Sequence, residues 1–153
     1  YCEWAGEGLP TEAQWEKAAR GTSGQLYPWG DIGPDGSKVN YADVNTAFDW
    51  AAKSVNDGYA NIAPVGSYPG GASPYGAEDM AGNVWEWTAD WYSDSYYKVA
   101  PSRNPLGPDN GEDRAMRGGC WNCEAWYLRA SARVFNQPTS AGDNGGFRCV
   151  FLP

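Results

Sequence analysis

The stretch Asp79-Met80-Ala81-Gly82-Asn83-Val84-Trp85-Glu86-Trp87 limits the fold more than any other part of the chain. Trp85 and Trp87 alternate with Glu86, the period of two expected of a strand. Gly82-Asn83 are residue types that tolerate positive φ, so a turn should precede that strand. Asp79 and Glu86 bracket the turn. Two carboxylates with turn carbonyls make a hard-oxygen donor set, suited to calcium rather than zinc or copper. The same residues also read as a buried aromatic strand after a tight turn, with its acids merely solvated.

The 153 residues suit one domain with a sizeable core. Nine Trp, ten Tyr and four Phe supply much of that core, and twenty Gly with eleven Pro require many turns. A mean hydropathy of -0.62 and a formal charge of -8 describe an acidic surface, which disfavours nucleic acid and anionic membranes as partners and accommodates bound cations. The chain has no histidine, which excludes Ser-His-Asp and Cys-His catalysis and imidazole metal sites within it. The four cysteines, Cys2, Cys120, Cys123 and Cys149, allow three complete pairings, among which spacing does not choose. No apolar run approaches the length of a membrane span. The chain opens at Tyr1-Cys2 and is expected to be a piece of a longer protein.

Read in order, Thr11 with Gln14 three residues on forms a capping box for a helix whose apolar face is Trp15, Ala18 and Ala19, ended by Gly21. Ala47 to Lys53 suits a short helix. Ala63 to Tyr68 suits an edge strand interrupted by proline. Ser93 to Asp113 is polar and Pro/Gly-rich, a long surface loop. Strand character returns at Ala115 to Trp121, at Tyr127 to Val134 and at Gly146 to Phe151, with a small-residue loop from Gln137 to Gly145 between the last two.

Several of these segments, in this order, resemble one family. They are Tyr1-Cys2-Glu3-Trp4-Ala5-Gly6, Leu9-Pro10-Thr11-Glu12-Ala13-Gln14-Trp15-Glu16, Tyr27-Pro28-Trp29-Gly30-Asp31, Ala63-Pro64-Val65-Gly66, Gly82-Asn83-Val84-Trp85-Glu86-Trp87, Arg117-Gly118-Gly119 and Gly146-Phe147-Arg148-Cys149. The pattern is similar to the formylglycine-generating enzymes, or sulfatase-modifying factors, over nearly the whole chain, with strands expected before Tyr1 missing. The resemblance implies an α+β domain of C-type-lectin-like fold, low in regular structure and calcium-stabilised. One implied calcium set is Asp79, Gly82, Val84 and Glu86. The other is Asp43, Val44, Asp57 and Tyr59, for which the plain reading is ordinary turn acids. A Cys2–Cys149 bridge is also implied. It would close nearly the whole chain and would favour an extracytoplasmic setting; two buried reduced thiols would suit the cytosol instead.

The family's oxidases use oxygen and copper(I), held by two cysteines with four residues between them, to convert a substrate cysteine to formylglycine. Here Cys120 and Cys123 have two residues between them, and Gly119 to Arg129 is about three residues short of the oxidase pattern. Counted from Gly119, Cys123 takes the first copper position; counted back from Arg129, Cys120 does. Neither count places a cysteine at the second. The pair is expected to be incidental thiols at a variable surface, with a redox or metal pair as the alternative. A second branch, the variable proteins of diversity-generating retroelements, keeps Arg-Gly-Gly and Gly-Phe-Arg as framework and varies the interval between. Here that interval carries Trp121, Asn122, Glu124, Trp126, Tyr127, Val134, Phe135, Asn136, Gln137 and Thr139, residue types that suit a paratope. Trp121 at least is expected to be core. The expectation is therefore a domain presenting the 120–139 surface to a protein or peptide, with an oxidase acting on a cysteine-containing peptide through Cys120 and Cys123 as the alternative.

Overall fold

Helix α1 (Glu12–Arg20) forms where local chemistry demands it. Thr11 Oγ1 accepts from Gln14 N while Gln14 Oε1 accepts from Thr11 N, which closes the expected capping box, and Gly21 ends the helix at φ 63°. Such a cap contributes about 1 kcal/mol. The helix buries Trp15 and Ala19 against Met80 and Ala130. The computed structural model describes residues 1–151.

Four strands follow among the described residues: β1 (Trp85–Trp91), β2 (Arg114–Arg117), β3 (Arg133–Asn136) and β4 (Gly145–Gly146). They form one mixed sheet in the order β3-β2-β1-β4. β2 runs antiparallel to both β1 and β3, with Glu86 opposite Arg117 and Ala115 opposite Phe135. β4 runs parallel to β1 with Trp85 opposite Gly145, and the β1–β2 register shifts between Trp87 and Trp91. Among the described residues, the remainder is turns, bends, irregular segments and three short 3-10 segments at 69–71, 96–98 and 125–128. The domain is thus the expected α+β type with little regular structure.

The turn before β1 has the predicted backbone. Gly82 and Asn83 lie at φ 69° and 62°. A Cβ on Gly82 would stand 2.2 Å from Asn40 O, so only glycine fits that approach. Asn83 then fastens the turn outward: its Oδ1 accepts from Ala63 N at 2.9 Å and its Nδ2 donates to Ala63 O at 3.1 Å.

Four element assignments need correction. Ala63 to Tyr68 is a turn rather than an edge strand, because the Asn83 side chain takes the pairing a strand would supply and Pro64 O accepts from Ser67. Ala47 to Lys53 has no helix; Ala52 N bonds instead to Ala42 O, beside an isolated bridge between Asp43 and Ala52. Tyr127 to Val134 is not continuous strand. A 3-10 turn at Ala125–Leu128 inserts Leu128 into the core, and β3 begins only at Arg133. The closing strand from Gly146 is reduced to β4 and a separate bridge of Val150 to Gly8, because the Arg148 side chain reaches inward to Glu86.

Helix and sheet are joined by buried charge. Arg117, fully buried, donates to Glu12 Oε1 at 2.8 Å, Glu16 Oε2 at 2.6 Å and Ala130 O at 2.5 Å. Arg133 donates to both oxygens of Glu12, at 2.5 and 2.8 Å. Burial opposes ionisation of Glu12, but the two arginines outweigh it and hold its carboxyl below the usual range.

Candidate functional site

The two expected calcium sets sit in different electrostatic settings. Asp43 and Asp57 are both buried. Asp43 accepts from Asn45 N, Asn45 Nδ2 and Asp57 N; Asp57 accepts from Tyr41 N and Tyr59 N. Among the described residues no lysine or arginine pairs with either acid. Burial, with Asp43 nearby, raises the Asp57 carboxyl. Tyr41 is pushed up to about 12 by burial and then by these two acids. Two adjacent carboxylates of uncompensated charge, with the Val44 and Tyr59 carbonyls on the same loops, are a donor set that fits a hard divalent ion.

Asp79 and Glu86 differ. Glu86 Oε2 accepts from Arg148 Nε at 2.6 Å and Trp15 Nε1 at 2.7 Å, and Glu86 Oε1 accepts from Arg148 Nη2 at 2.6 Å. Arg148 Nη2 also donates to the Asp79 carbonyl at 3.2 Å, while Asp79 Oδ2 accepts from Gly66 N at 2.8 Å. A guanidinium already balances Glu86, so the set of Asp79, Gly82, Val84 and Glu86 fits a divalent ion less well. Neither set gathers three acidic side chains; no group of three or more His, Cys, Asp or Glu in metal-holding geometry occurs among the described residues.

On the other side of β1 lies a cavity of about 760 Å³. Of the expected binding residues, Asn122, Glu124, Tyr127, Val134, Phe135 and Asn136 line it. Trp126 stands outside this lining, 47% exposed and stacked on Tyr127. Gln137 and Thr139 are exposed beyond it. Trp121 is core, as expected, its ring tilted against Phe48. The sequence reading missed Trp50, Trp87, Asn144 and Phe147, which also line it. Trp50 is brought there from a distant loop by its Nε1 donating to Asn122 O at 3.1 Å, a contact between segments that no local pattern announces.

The cysteines also differ from expectation. Cys120 and Cys123 are not incidental surface thiols. They are bonded to each other and packed with Trp85 and Met116, Cys120 fully buried and Cys123 lining the cavity. The tight Gly118-Gly119 turn drives this segment inward: a Cβ on Gly119 would meet Leu128 and the Tyr127 carbonyl at 3.0 Å. Copper(I) takes free thiolates, and these two sulfurs are spent on each other, so the pair as found does not fit that ion. Cys2 and Cys149 form the second disulfide, with Cα atoms 5.4 Å apart.

A family model, the sulfatase-modifying factor enzyme 1-like domain, matches residues 1–152. The chain belongs to that family. Among its relatives, the formylglycine-generating enzyme of Streptomyces coelicolor is 44% identical over 162 residues, which cover 98% of this chain and 48% of that protein. Two solved structures of the same architecture are similar. PvdO from Pseudomonas aeruginosa superposes with a TM-score of 0.78 at 27% identity, covering 96% of this chain and 55% of that one. Treponema denticola variable protein 1 does so at 0.69 and 28%, covering 92% and 46%. The chain therefore spans about half the length of the family members it matches.

Proposed function

We propose that this sulfatase-modifying-factor domain is a ligand-binding module that holds a protein or peptide in the cavity between β1, β3 and the 120–147 segment. One observation carries the reading. The interval between Arg117-Gly118-Gly119 and Gly146-Phe147-Arg148 builds most of a 760 Å³ recess, with Phe135 and Phe147 each about half exposed at its edge. Rigid aromatic rings beside small polar groups such as Asn122, Asn136 and Asn144 are the composition of a binding surface. The resemblance to a variable protein supports display, and the closed Cys120–Cys123 pair argues against the copper oxidase chemistry of the alternative.

Calcium is part of the proposal. Asp43 and Asp57, with the carbonyls of Val44 and Tyr59, would hold it, and it would supply the positive charge that this loop pair lacks. Asp79 and Glu86, with Gly82 and Val84, are the weaker candidate set because Arg148 competes.

A peptide library selected on the immobilised domain tests the binding reading. Enriched peptides should lose at least tenfold in affinity on Phe135→Ala and Tyr127→Ala, and little on Val65→Ala, which lies 86% exposed away from the cavity. Equal binding to all three variants would refute it.

A further inference from the structure

β3 is an edge of the sheet. Its one neighbour is β2, through the pairs Arg133–Arg117, Val134–Met116, Phe135–Ala115 and Asn136–Arg114. In such a strand, alternate residues turn their N–H and C=O groups away from the neighbour. Outside the β2 ladder, no backbone group among the described residues hydrogen-bonds to the backbone of Arg133–Asn136. The outward row is therefore open to another strand. The usual guards of an open edge are missing too. The strand holds neither lysine nor proline, and its arginine is spent on Glu12 and the Ser93 carbonyl. The side chains fix where this edge lies relative to the cavity. Successive side chains of a strand point to opposite faces. Val134, Met116 and Trp87 make one row across β3, β2 and β1, and all three line the recess. Arg133 and Arg117 make a row on the other face, where both reach Glu12 of α1. Phe135 shares that second face, its ring centroid 4.4 Å from that of Tyr92, yet it lines the recess as well. A recess bordered by residues from both faces of one strand passes round the edge of that strand.

We propose that the ligand of this cavity is an extended peptide that pairs with the free edge of β3 as a fifth strand of the sheet. The inference rests on the binding reading and deepens it: it names the conformation of the ligand and the backbone that holds it. Two of the four residues of β3 turn an N–H and a C=O outward, and these bond to the peptide main chain whatever its sequence. Side chains of the peptide then alternate. One set lies over Val134 and Met116 inside the recess, and the other lies over Phe135 and Tyr92 on the α1 side. The partner is therefore an extended segment about four residues long where it pairs, apolar at alternate positions, and without proline where its own N–H must donate. Its pairing ends beside Asn136, whose side chain turns back to accept from Gln137 N and Ser140 Oγ.

The test uses the unsubstituted chain and the tightest peptide enriched in the library selection. That peptide is made as a series in which each backbone amide in turn is N-methylated, which removes one donor and leaves every side chain in place. Over a window of about four residues, methylation at alternate amides should weaken binding at least tenfold, and at the intervening amides less than threefold. Uniform loss at every position, or loss at none, would overturn the pairing. Hydrogen exchange, read residue by residue by NMR, is the second measurement. Two alternate amides among Arg133–Asn136 should exchange rapidly in the free chain and slow at least tenfold with the peptide bound, while the two that face β2 stay slow in both. A bound peptide that leaves the rapid amides unchanged would sink the pairing and leave the binding reading standing. A selection that enriches no peptide would sink the binding reading, and the pairing with it.

Discussion

Buried acids are treated in opposite ways in two regions of this domain. Glu12 and Glu86 each receive an arginine, from Arg117 and Arg133 in the first case and Arg148 in the second. Asp43 and Asp57 receive only amide donors, from the backbone and from Asn45. The difference teaches where a domain with little regular structure finds its rigidity. Where guanidinium forks are available, the chain neutralises itself and links α1, β1 and β2. Where none is available, the loops keep uncompensated negative charge, which a cation from solution can balance. Asp90 is a third case. It caps α1 by accepting from Glu12 N at 2.6 Å, its Oδ1 has no hydrogen-bond partner, and burial, aided by the Glu12 charge, raises its carboxyl to about 6. Near neutral pH and below, this acid can remove its own charge by taking a proton.

The strongest way to break the comparison is at Glu12. Arg117→Met should cost about 3–5 kcal/mol in chemical denaturation, since it strips a buried carboxylate of a charged partner. The double variant Glu12→Leu, Arg117→Met should recover much of that. A loss near zero in the single variant would show that Arg133 alone suffices. Next comes calcium. After chelation, adding calcium to a hundred times its dissociation constant should add about 2.7 kcal/mol, read as a higher melting temperature. Asp57→Asn should abolish most of that gain and Glu86→Gln much less. The reverse order would place the ion at Asp79 and Glu86 and invert the contrast.

Arg148→Met sharpens it further. The pair is partly solvated, so the loss should be about 2 kcal/mol. Calcium should restore part of it if a divalent ion can take the place of the guanidinium; no restoration would mean that it cannot. Asp90 tests the contrast through pH. Its folded carboxyl titrates near 6, above the unfolded value, so the folded state holds a proton that the unfolded state has lost. Stability should therefore fall as pH rises from about 4 through 6, by roughly 3 kcal/mol from this group alone. Asp90→Asn keeps an acceptor for Glu12 N and should flatten that window; an unchanged slope would assign it to another group.

How far the sequence could be read depended on range. Thr11, Gln14 and Gly21 act on neighbours three or four residues away, so α1 was legible to its caps. Gly82-Asn83 fixed the turn before β1 for the same reason. At the candidate site, most of the residues singled out between Trp121 and Asn136 line the cavity, whereas Trp50 and Phe147 line it from outside that interval and were not foreseen. The charged residues were the largest omission. Arg117 stands in the apolar run Ala115-Met116-Arg117-Gly118-Gly119, and a cation there was a legible sign of a buried ion pair; its partner Glu12, 105 positions away, was not.

The sequence alone therefore determined the helix, the glycine-bearing turns, the family pattern and the types of donor present, because each depends on dihedral preference or residue chemistry within a short segment. Only the tertiary structure decided which acids meet an arginine and which meet none, that Cys120 is enclosed while Cys123 faces a cavity, and that Asn83 rather than a strand holds residue 63. Those outcomes depend on distance in space and exclusion of water, and a linear order of residues specifies neither until the chain has folded.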